Sequence, residues 1–150
     1  MKFAYILFLL IIALWINTAS ADGVIMARST RNFEDAMNML QATITRHGYT
    51  VAKVQRVDVG LEAKGYKTDR YRIVFFGKPG EIEMLAGKYP KLIPYLPQTI
   101  VIFAEDENTI ITAARPVLLE QLYPDPELKP IFERWEKDML AMMDEIREGK

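Results

Sequence analysis

The sequence is poor in the side chains that most often carry covalent and metal chemistry. It has no cysteine, one histidine (His47) and, after residue 21, one serine (Ser29). Without cysteine there are no disulfides or thiolate metal sites, so a folded domain must be held by packing alone. A nucleophile–histidine–acid triad could use only Ser29 and His47. Ser29, however, stands just before a predicted helix start, where serine commonly caps. We therefore expect neither such a triad nor a histidine-rich metal site.

The chain also lacks an excess of either charge and any glycine-rich loop. Its 19 Lys and Arg residues and 20 Asp and Glu residues are interspersed, and the net charge is −1. Nucleic-acid binding usually requires a one-sided basic surface, so we expect no nucleic-acid partner. The eight glycines are scattered singly, and no Asp-x-Asp-x-Asp-Gly calcium loop is present. We expect no cofactor and no metal ion.

The first 21 residues have the three parts of a secretory signal peptide. A short basic start, Met1–Lys2, precedes fourteen consecutive apolar residues, Phe3 to Ile16, and the small residues Ala19 and Ala21 form a cleavage site. Fourteen helical residues rise only ~21 Å, less than the ~30 Å hydrocarbon core of a bilayer. We therefore predict cleavage between Ala21 and Asp22 and a periplasmic or secreted protein that contacts the membrane only through this transient segment. An uncleaved N-terminal anchor is the alternative.

Residues 22–150 have the length of one domain, and their patterns predict an α+β fold. Strands are predicted at residues 23–28, 49–57, 71–76, 99–104 and 109–114. Helices are predicted at 33–47, 58–64, 81–88, 116–123 and from about 127 onward. The prolines at 90, 94 and 97 predict an extended connector. The element order is β-α-β-β-β-β-α, with about five strands and with the signal peptide outside the fold. This order agrees with the single antiparallel sheet and helices on one face that the family resemblance described next implies.

Several short motifs, in their order and spacing, resemble the domain of unknown function 302 family. They are Phe33-Glu34-Asp35, His47-Gly48-Tyr49, Val74 to Pro79, Leu96 to Phe103 and Ala114-Arg115-Pro116. The similarity spans roughly residues 24 to 146. Members often carry asparagine where this chain has Lys78. The resemblance implies a compact α+β domain with helices on one face of an antiparallel sheet, and homodimers. It carries no agreed catalytic residues.

Two strand ends are candidate ligand-binding positions. Gly77-Lys78-Pro79-Gly80 follows a strong strand and would expose backbone amides beside a cation, although glycine and proline are equally typical of a simple turn. Arg115 follows the last predicted strand. If these two ends were neighbours, Lys78 and Arg115 would form a cationic mouth for a small anionic ligand such as a carboxylate.

Two further features have both a structural and a functional interpretation. His47 closes a helix, where a cation favours the helix dipole, but an imidazole beside a carboxylate could also act as an acid or base. Apolar positions in the last helix form one stripe that indicates core or dimer packing, with a binding groove as the alternative. The stripe comprises Ile131, Trp135, Met139, Met142 and Ile146. The strand at 71–76 is apolar on both faces, so a dimer contact or a second helix layer is expected to cover the second face.

Together these features predict an exported, non-enzymatic α+β domain that dimerises and binds a small ligand or an envelope protein. The first alternative is an enzyme that uses carboxylate, lysine, arginine or tyrosine for acid–base chemistry. The second is a structural assembly factor of the cell envelope.

Overall fold

Five antiparallel strands form one sheet in the order β1-β5-β4-β3-β2. A computed structural model describes residues 23–148. The strands are β1 (Val24–Ser29), β2 (Thr50–Arg56), β3 (Tyr71–Gly77), β4 (Gln98–Glu105) and β5 (Asn108–Ala114). The predicted single antiparallel sheet is confirmed. The predicted signal peptide and its cleavage residues, Ala19 and Ala21, lie outside the described residues.

Helical segments connect the strands and follow the last one. They are α1 (Phe33–Arg46), α2 (Val57–Glu62), α3 (Pro79–Lys88), α4 (Leu119–Leu122) and α5 (Lys129–Glu148), with 3₁₀ turns at Pro90–Tyr95 and Pro116–Leu118. Between residues 23 and 148, no helix is long and apolar enough to cross a membrane.

One face of the sheet, here called the inner face, packs against α1 and α5 to form the main core. Alternate strand residues point into it, among them Val74 and Phe76 of β3 and Ile100 and Ile102 of β4, all with no exposed surface. Of the predicted stripe of α5, Met139, Met142 and Ile146 are buried in this core. Trp135 is buried in a second apolar cluster, and Ile131 packs against that cluster. The single layer of helices on one face matches the expectation.

Helix α1 begins at the predicted residue, Phe33, but Ser29 is not its cap. The Asn32 side chain caps it by accepting a hydrogen bond from the Asp35 amide at 3.0 Å. Gly48 follows with φ of +77°, the left-handed conformation that commonly ends a helix. The cap is therefore Asn32, while Ser29 is the last residue of β1 and donates a hydrogen bond to the Ile146 carbonyl at 3.2 Å.

Three local predictions were wrong. The segment Gly77–Gly80 is not a separate turn, because α3 already begins at Pro79. At this first helical position the missing N–H of proline costs no hydrogen bond. The connector after α3 is a 3₁₀ helix rather than extended, and it buries Leu92. The helix predicted at 58–64 lies at Val57–Glu62 instead, and the buried side chain of Asp58 in it forms an ion pair with Arg72 of β3.

The opposite face of the sheet, here called the outer face, carries apolar side chains that are partly exposed. The register places Met26 of β1 and Ile73 and Phe75 of β3 on this face, and Met26 is 63% exposed. Val101 and Phe103 of β4 lie between these two strands on the same face. The second apolar face that the sequence predicts is therefore present.

Candidate functional site

A cavity of about 330 Å³ opens at the end of the sheet where β4 begins and β5 finishes. The two 3₁₀ segments and α4 form its walls, and α5 forms its floor. Most of its lining side chains are apolar: Pro94, Pro97, Ala114, Pro116, Leu118, Leu119, Leu122, Trp135 and Met139, with Tyr95, Gln98, Thr99 and Arg115 as the polar members. This volume and this mixture are typical of small-molecule sites, which combine an apolar wall with a few polar groups.

Local sequence signals build each wall of the cavity. Pro116 stops β5 and starts a 3₁₀ turn, while the Arg115 amide is held to the Gly23 carbonyl at 3.1 Å. This bond fixes the end of β5 beside the start of β1. Trp135 and Met139 are four residues apart on α5, so they lie one turn apart on the same helix face. A rigid strand end and a buried helix face therefore position the lining side chains.

Arg115 is the charged side chain of the cavity, and Glu136 neutralises it. The Glu136 side chain is only 8% exposed and that of Arg115 is 38% exposed. Arg115 donates to Glu136 Oε1 from Nε at 2.7 Å and also from Nη2, while the Val117 amide lies 3.4 Å from Oε2. The guanidinium and the carboxylate thus form one nearly neutral unit at the cavity wall.

Gln98 is the second polar side chain of interest. It is the first residue of β4, it lines the cavity and it is only 9% exposed. Its backbone is paired with Phe76 of β3. Within the described part of the chain, its side-chain carboxamide has no hydrogen-bond partner. Its amide atoms are not fully enclosed by protein, so a molecule in the cavity can contact them and exchange hydrogen bonds with them.

The mouth of the cavity is apolar. Tyr95 and Leu122 line it and are both exposed, and Ile93 is exposed nearby in the same 3₁₀ segment. The Tyr95 ring packs edge-on against Tyr123, with their centroids 5.9 Å apart. Exposed apolar side chains at a concave mouth are typical of a binding surface.

The sequence profile described as "Domain of unknown function DUF302" matches residues 25–146. The chain belongs to the DUF302 family. The crystal structure of an uncharacterized conserved DUF302 protein from Bacillus stearothermophilus has a TM-score of 0.77 and 23% sequence identity, and the match covers 85% of this chain and 100% of that chain. This likeness shows the fold. A search of curated proteins found no match.

The predicted site residues of this DUF302 chain lie in two places. Arg115 lines the cavity described above, whereas Gly77 and Pro79 line another, of about 310 Å³, with Ile82 and neighbouring residues of β2 and α3. Strands β3 and β5 finish at the same end of the sheet, but β4 lies between them. A Cβ atom at Gly77 would lie 2.5 Å from Ile82 Cδ1, so this glycine permits close packing of α3.

Lys78 has its own partner in this DUF302 domain. Its Nζ atom lies 4.7 Å from the centroid of the Tyr49 ring, in a cation–π contact. The Tyr49 hydroxyl donates to Asp138 at 2.6 Å and accepts from Arg134 at 3.3 Å. Burial, followed by the hydrogen bond to Asp138, raises the pKa of Tyr49 well above its usual value. Lys78 thus lies over a buried polar network and does not line the cavity of Arg115.

That network reaches the cavity through a tryptophan. Arg134 forms an ion pair with Glu81 of α3, and Trp135 donates from Nε1 to the other Glu81 oxygen at 2.9 Å. The indole N–H is therefore satisfied, and the ring is fixed in its position against the cavity. The predicted packing residues Trp135 and Met139 belong both to the interior and to the cavity wall.

The His47 imidazole has a carboxylate beside it. Nε2 lies 2.6 Å from Glu145 Oε1, and Arg46 lies 2.7 Å from Glu145 Oε2. The hydrogen bond from Arg46, and then that from His47, lowers the pKa of Glu145. This cluster joins the ends of α1 and α5 and does not line the cavity. No group of carboxylates and histidines in residues 23–148 could hold a metal ion.

Sequence reasoning did not predict Gln98, Glu136 and Tyr95. Glu136 does not belong to the apolar stripe predicted for α5. A signal was present, because Phe132, Glu136, Met139 and Met143 form a row at helical spacing in which Glu136 alone is charged. The other three members are all buried. Gln98 and Tyr95 carry no such pattern.

Proposed function

We propose that this DUF302 protein binds a small, mainly apolar molecule in the cavity between the end of the sheet and α5, without catalysing a reaction. The observation that carries the proposal is the Gln98 carboxamide, which has no hydrogen-bond partner within residues 23–148 and is accessible from a cavity whose other walls are largely apolar. The volume of about 330 Å³ is at the lower end for drug-sized ligands. Export remains part of the proposal, and the sequence of residues 1–21 supports it.

The lining chemistry favours binding over acid–base catalysis. The described residues that line the cavity include no carboxylate, imidazole or amine, and Tyr95 is their one phenol. Two acids bond to lining side chains, and both are engaged: Glu136 by Arg115, and Glu81 by Arg134 and Trp135. General acid–base catalysis needs a group that can exchange a proton with the substrate within hydrogen-bond reach. An arginine does not lose its proton in proteins. The enzyme alternative therefore has less support than the binding protein.

Trp135 provides a direct test, because it lines the cavity and Trp15 is the one other tryptophan of the chain. In the chain carrying Trp15→Phe, energy transfer from tryptophan to the neutral fluorophore N-phenyl-1-naphthylamine should report binding. We expect saturable transfer that Ala114→Phe, which fills the cavity mouth, abolishes. Ala52→Phe is the control: it is also at an exposed strand position, but it lines the second cavity, with Gly77 and Pro79. Equal transfer in both variants, or none in the unsubstituted cavity, would refute the proposal.

We also propose that a second copy of the chain covers the outer face of the sheet. The apolar side chains there would otherwise remain in contact with water, and sheets that are apolar on both faces are normally covered on both. Met26 is the most exposed of them, at 63%. Sedimentation equilibrium should give a dimer that Met26→Lys weakens at least tenfold. A monomer at micromolar concentration would refute this part, and the cavity proposal does not depend on it.

A further inference from the structure

We infer that the ligand of this cavity is neutral: an apolar body with one hydrogen-bonding head group, an amide or an alcohol. This inference rests on the proposed function and adds the chemical class of the ligand. The sequence alone suggested a small anion held by Lys78 and Arg115. Three features of the cavity favour a neutral ligand instead.

The first feature is the charge balance at Arg115. Glu136 occupies the Nε and Nη2 atoms of the guanidinium and cancels its charge. An anionic ligand would be drawn to Arg115 but repelled by the buried carboxylate beside it, and it would lose its own hydration. Transfer of a charge into a partly buried site is unfavourable unless a counter-charge is available. Lys78 supplies none, since it lies over Tyr49 and does not line this cavity.

The second feature is the pair of hydrogen-bonding groups that remain. Within residues 23–148, the Gln98 carboxamide has no hydrogen-bond partner, and the Arg115 side chain bonds to Glu136 through Nε and Nη2. A carboxamide both donates and accepts, whereas a guanidinium only donates. An amide or alcohol has a donor for the Gln98 oxygen and an acceptor for N–H groups of either residue. A carboxylate has no donor and would leave the Gln98 oxygen unsatisfied.

The third feature is the apolar remainder of the wall. Trp135, Met139 and the leucines on the 116–122 segment surround the space, and Leu122 and Tyr95 continue the apolar surface outward. An aliphatic or aromatic body placed here would be removed from water, and a tail longer than the cavity could leave over Leu122. The inferred ligand is therefore amphipathic, with its head at Gln98 and its body against Trp135.

The test compares two probes of equal chain length in the Trp15→Phe background. Octanamide and octanoate would each displace N-phenyl-1-naphthylamine at pH 7, where octanoate is ionised. We expect octanamide to bind at least tenfold more tightly than octanoate. In Glu136→Gln, Arg115 becomes uncompensated, so octanoate should gain at least tenfold while octanamide changes little.

Gln98→Met gives a second measurement that does not depend on the buried ion pair. Methionine keeps the shape of the side chain but loses both hydrogen-bonding groups, so octanamide should bind about tenfold more weakly. N-phenyl-1-naphthylamine, which lacks an amide or hydroxyl head group, should bind almost as before. Gln121→Met, at an exposed position outside the cavity lining, is the matched control and should change neither affinity.

The outcomes separate the two claims. Octanoate binding as tightly as octanamide, or octanamide insensitive to Gln98→Met, would overturn the neutral-ligand inference and leave the binding function intact. Failure of all three probes to bind in the cavity would overturn the proposed function together with the inference.

Discussion

Removal of Arg115 should destabilise the fold because it leaves a buried carboxylate behind. In Arg115→Met, Glu136 keeps one weak donor, the Val117 amide at 3.4 Å, with its side chain 8% exposed. Breaking a buried ion pair by deleting one partner costs roughly 3–5 kcal/mol. We take about 3 kcal/mol, because Arg115 is more than a third exposed and the cavity can admit water. For a domain of this size that is roughly a 12 °C fall in Tm.

The double variant Arg115→Met/Glu136→Leu separates the loss of stability caused by the unpaired charge from the loss caused by altered packing. It replaces the pair with apolar groups of similar volume, which is often neutral or stabilising, so we expect stability within about 1 kcal/mol of the parent. The single variant Glu136→Leu should cost less than Arg115→Met, since the remaining guanidinium can reach water. Thermal and guanidinium unfolding of all four proteins gives the coupling energy. Lys88→Met, which removes the exposed pair with Glu127, should cause no measurable change.

Two results would contradict this reasoning. If Arg115→Met were as stable as the parent, the Glu136 carboxylate would be solvated, and the charge argument for a neutral ligand would fail with it. If Arg115→Met and the double variant were equally unstable, the loss would come from packing around residue 115 and not from the unpaired charge.

Three further predictions concern the fold. Arg72 lowers the pKa of Asp58, so this pair should stabilise the fold above the unfolded pKa of about 3.9, and that stability should be lost as pH falls through the folded pKa. Urea unfolding between pH 2 and 6 should show the loss, and Asp58→Asn should make the free energy of unfolding less dependent on pH. Gly48→Ala should cost about 1 kcal/mol in urea unfolding, because φ is +77° there; no change would mean that the helix end adjusts. Tyr49→Phe should cost about 1–2 kcal/mol in thermal unfolding by removing the hydrogen bond to Asp138, and a neutral result would mean that water replaces the hydroxyl.

Most of the fold could be predicted because its signals are local. Helix α1 has a periodic apolar face, an asparagine cap and a closing glycine, and the β4–β5 hairpin has two β-branched runs around an acidic turn. These patterns need no knowledge of the rest of the molecule. The segment Pro90–Tyr95 was predicted wrongly, since its prolines were interpreted as an extended connector. Its Leu92 packs into a second apolar cluster, and that tertiary contact is compatible with a 3₁₀ helix.

The candidate site was less predictable because it depends on which strands are neighbours. The ends of β3 and β5 looked equivalent in the sequence, and the placement of β4 between them is a property of the whole sheet. Lys78 was interpreted as a ligand-facing cation, yet its contact with Tyr49 joins residues 29 positions apart. Glu136 could have been suspected from its apolar helical row. The role of Gln98 could not have been suspected, because a glutamine at the start of a strand has no sequence pattern that predicts its burial.

The choice of residues around the cavity is not what stability alone would favour. This domain has no disulfide to support it, so its apolar packing must supply the stability. Even so, it places a buried carboxylate in an otherwise apolar row of α5 and, at the start of β4, a mostly buried glutamine whose amide has no hydrogen-bond partner within residues 23–148. A leucine at either position would remove the cost of burying a polar group. Locally unfavourable residues of this kind tend to concentrate at functional sites. Gln98 lines the cavity, and Glu136 pairs with Arg115, which also lines it, so these two residues are the strongest reason to look there for the ligand.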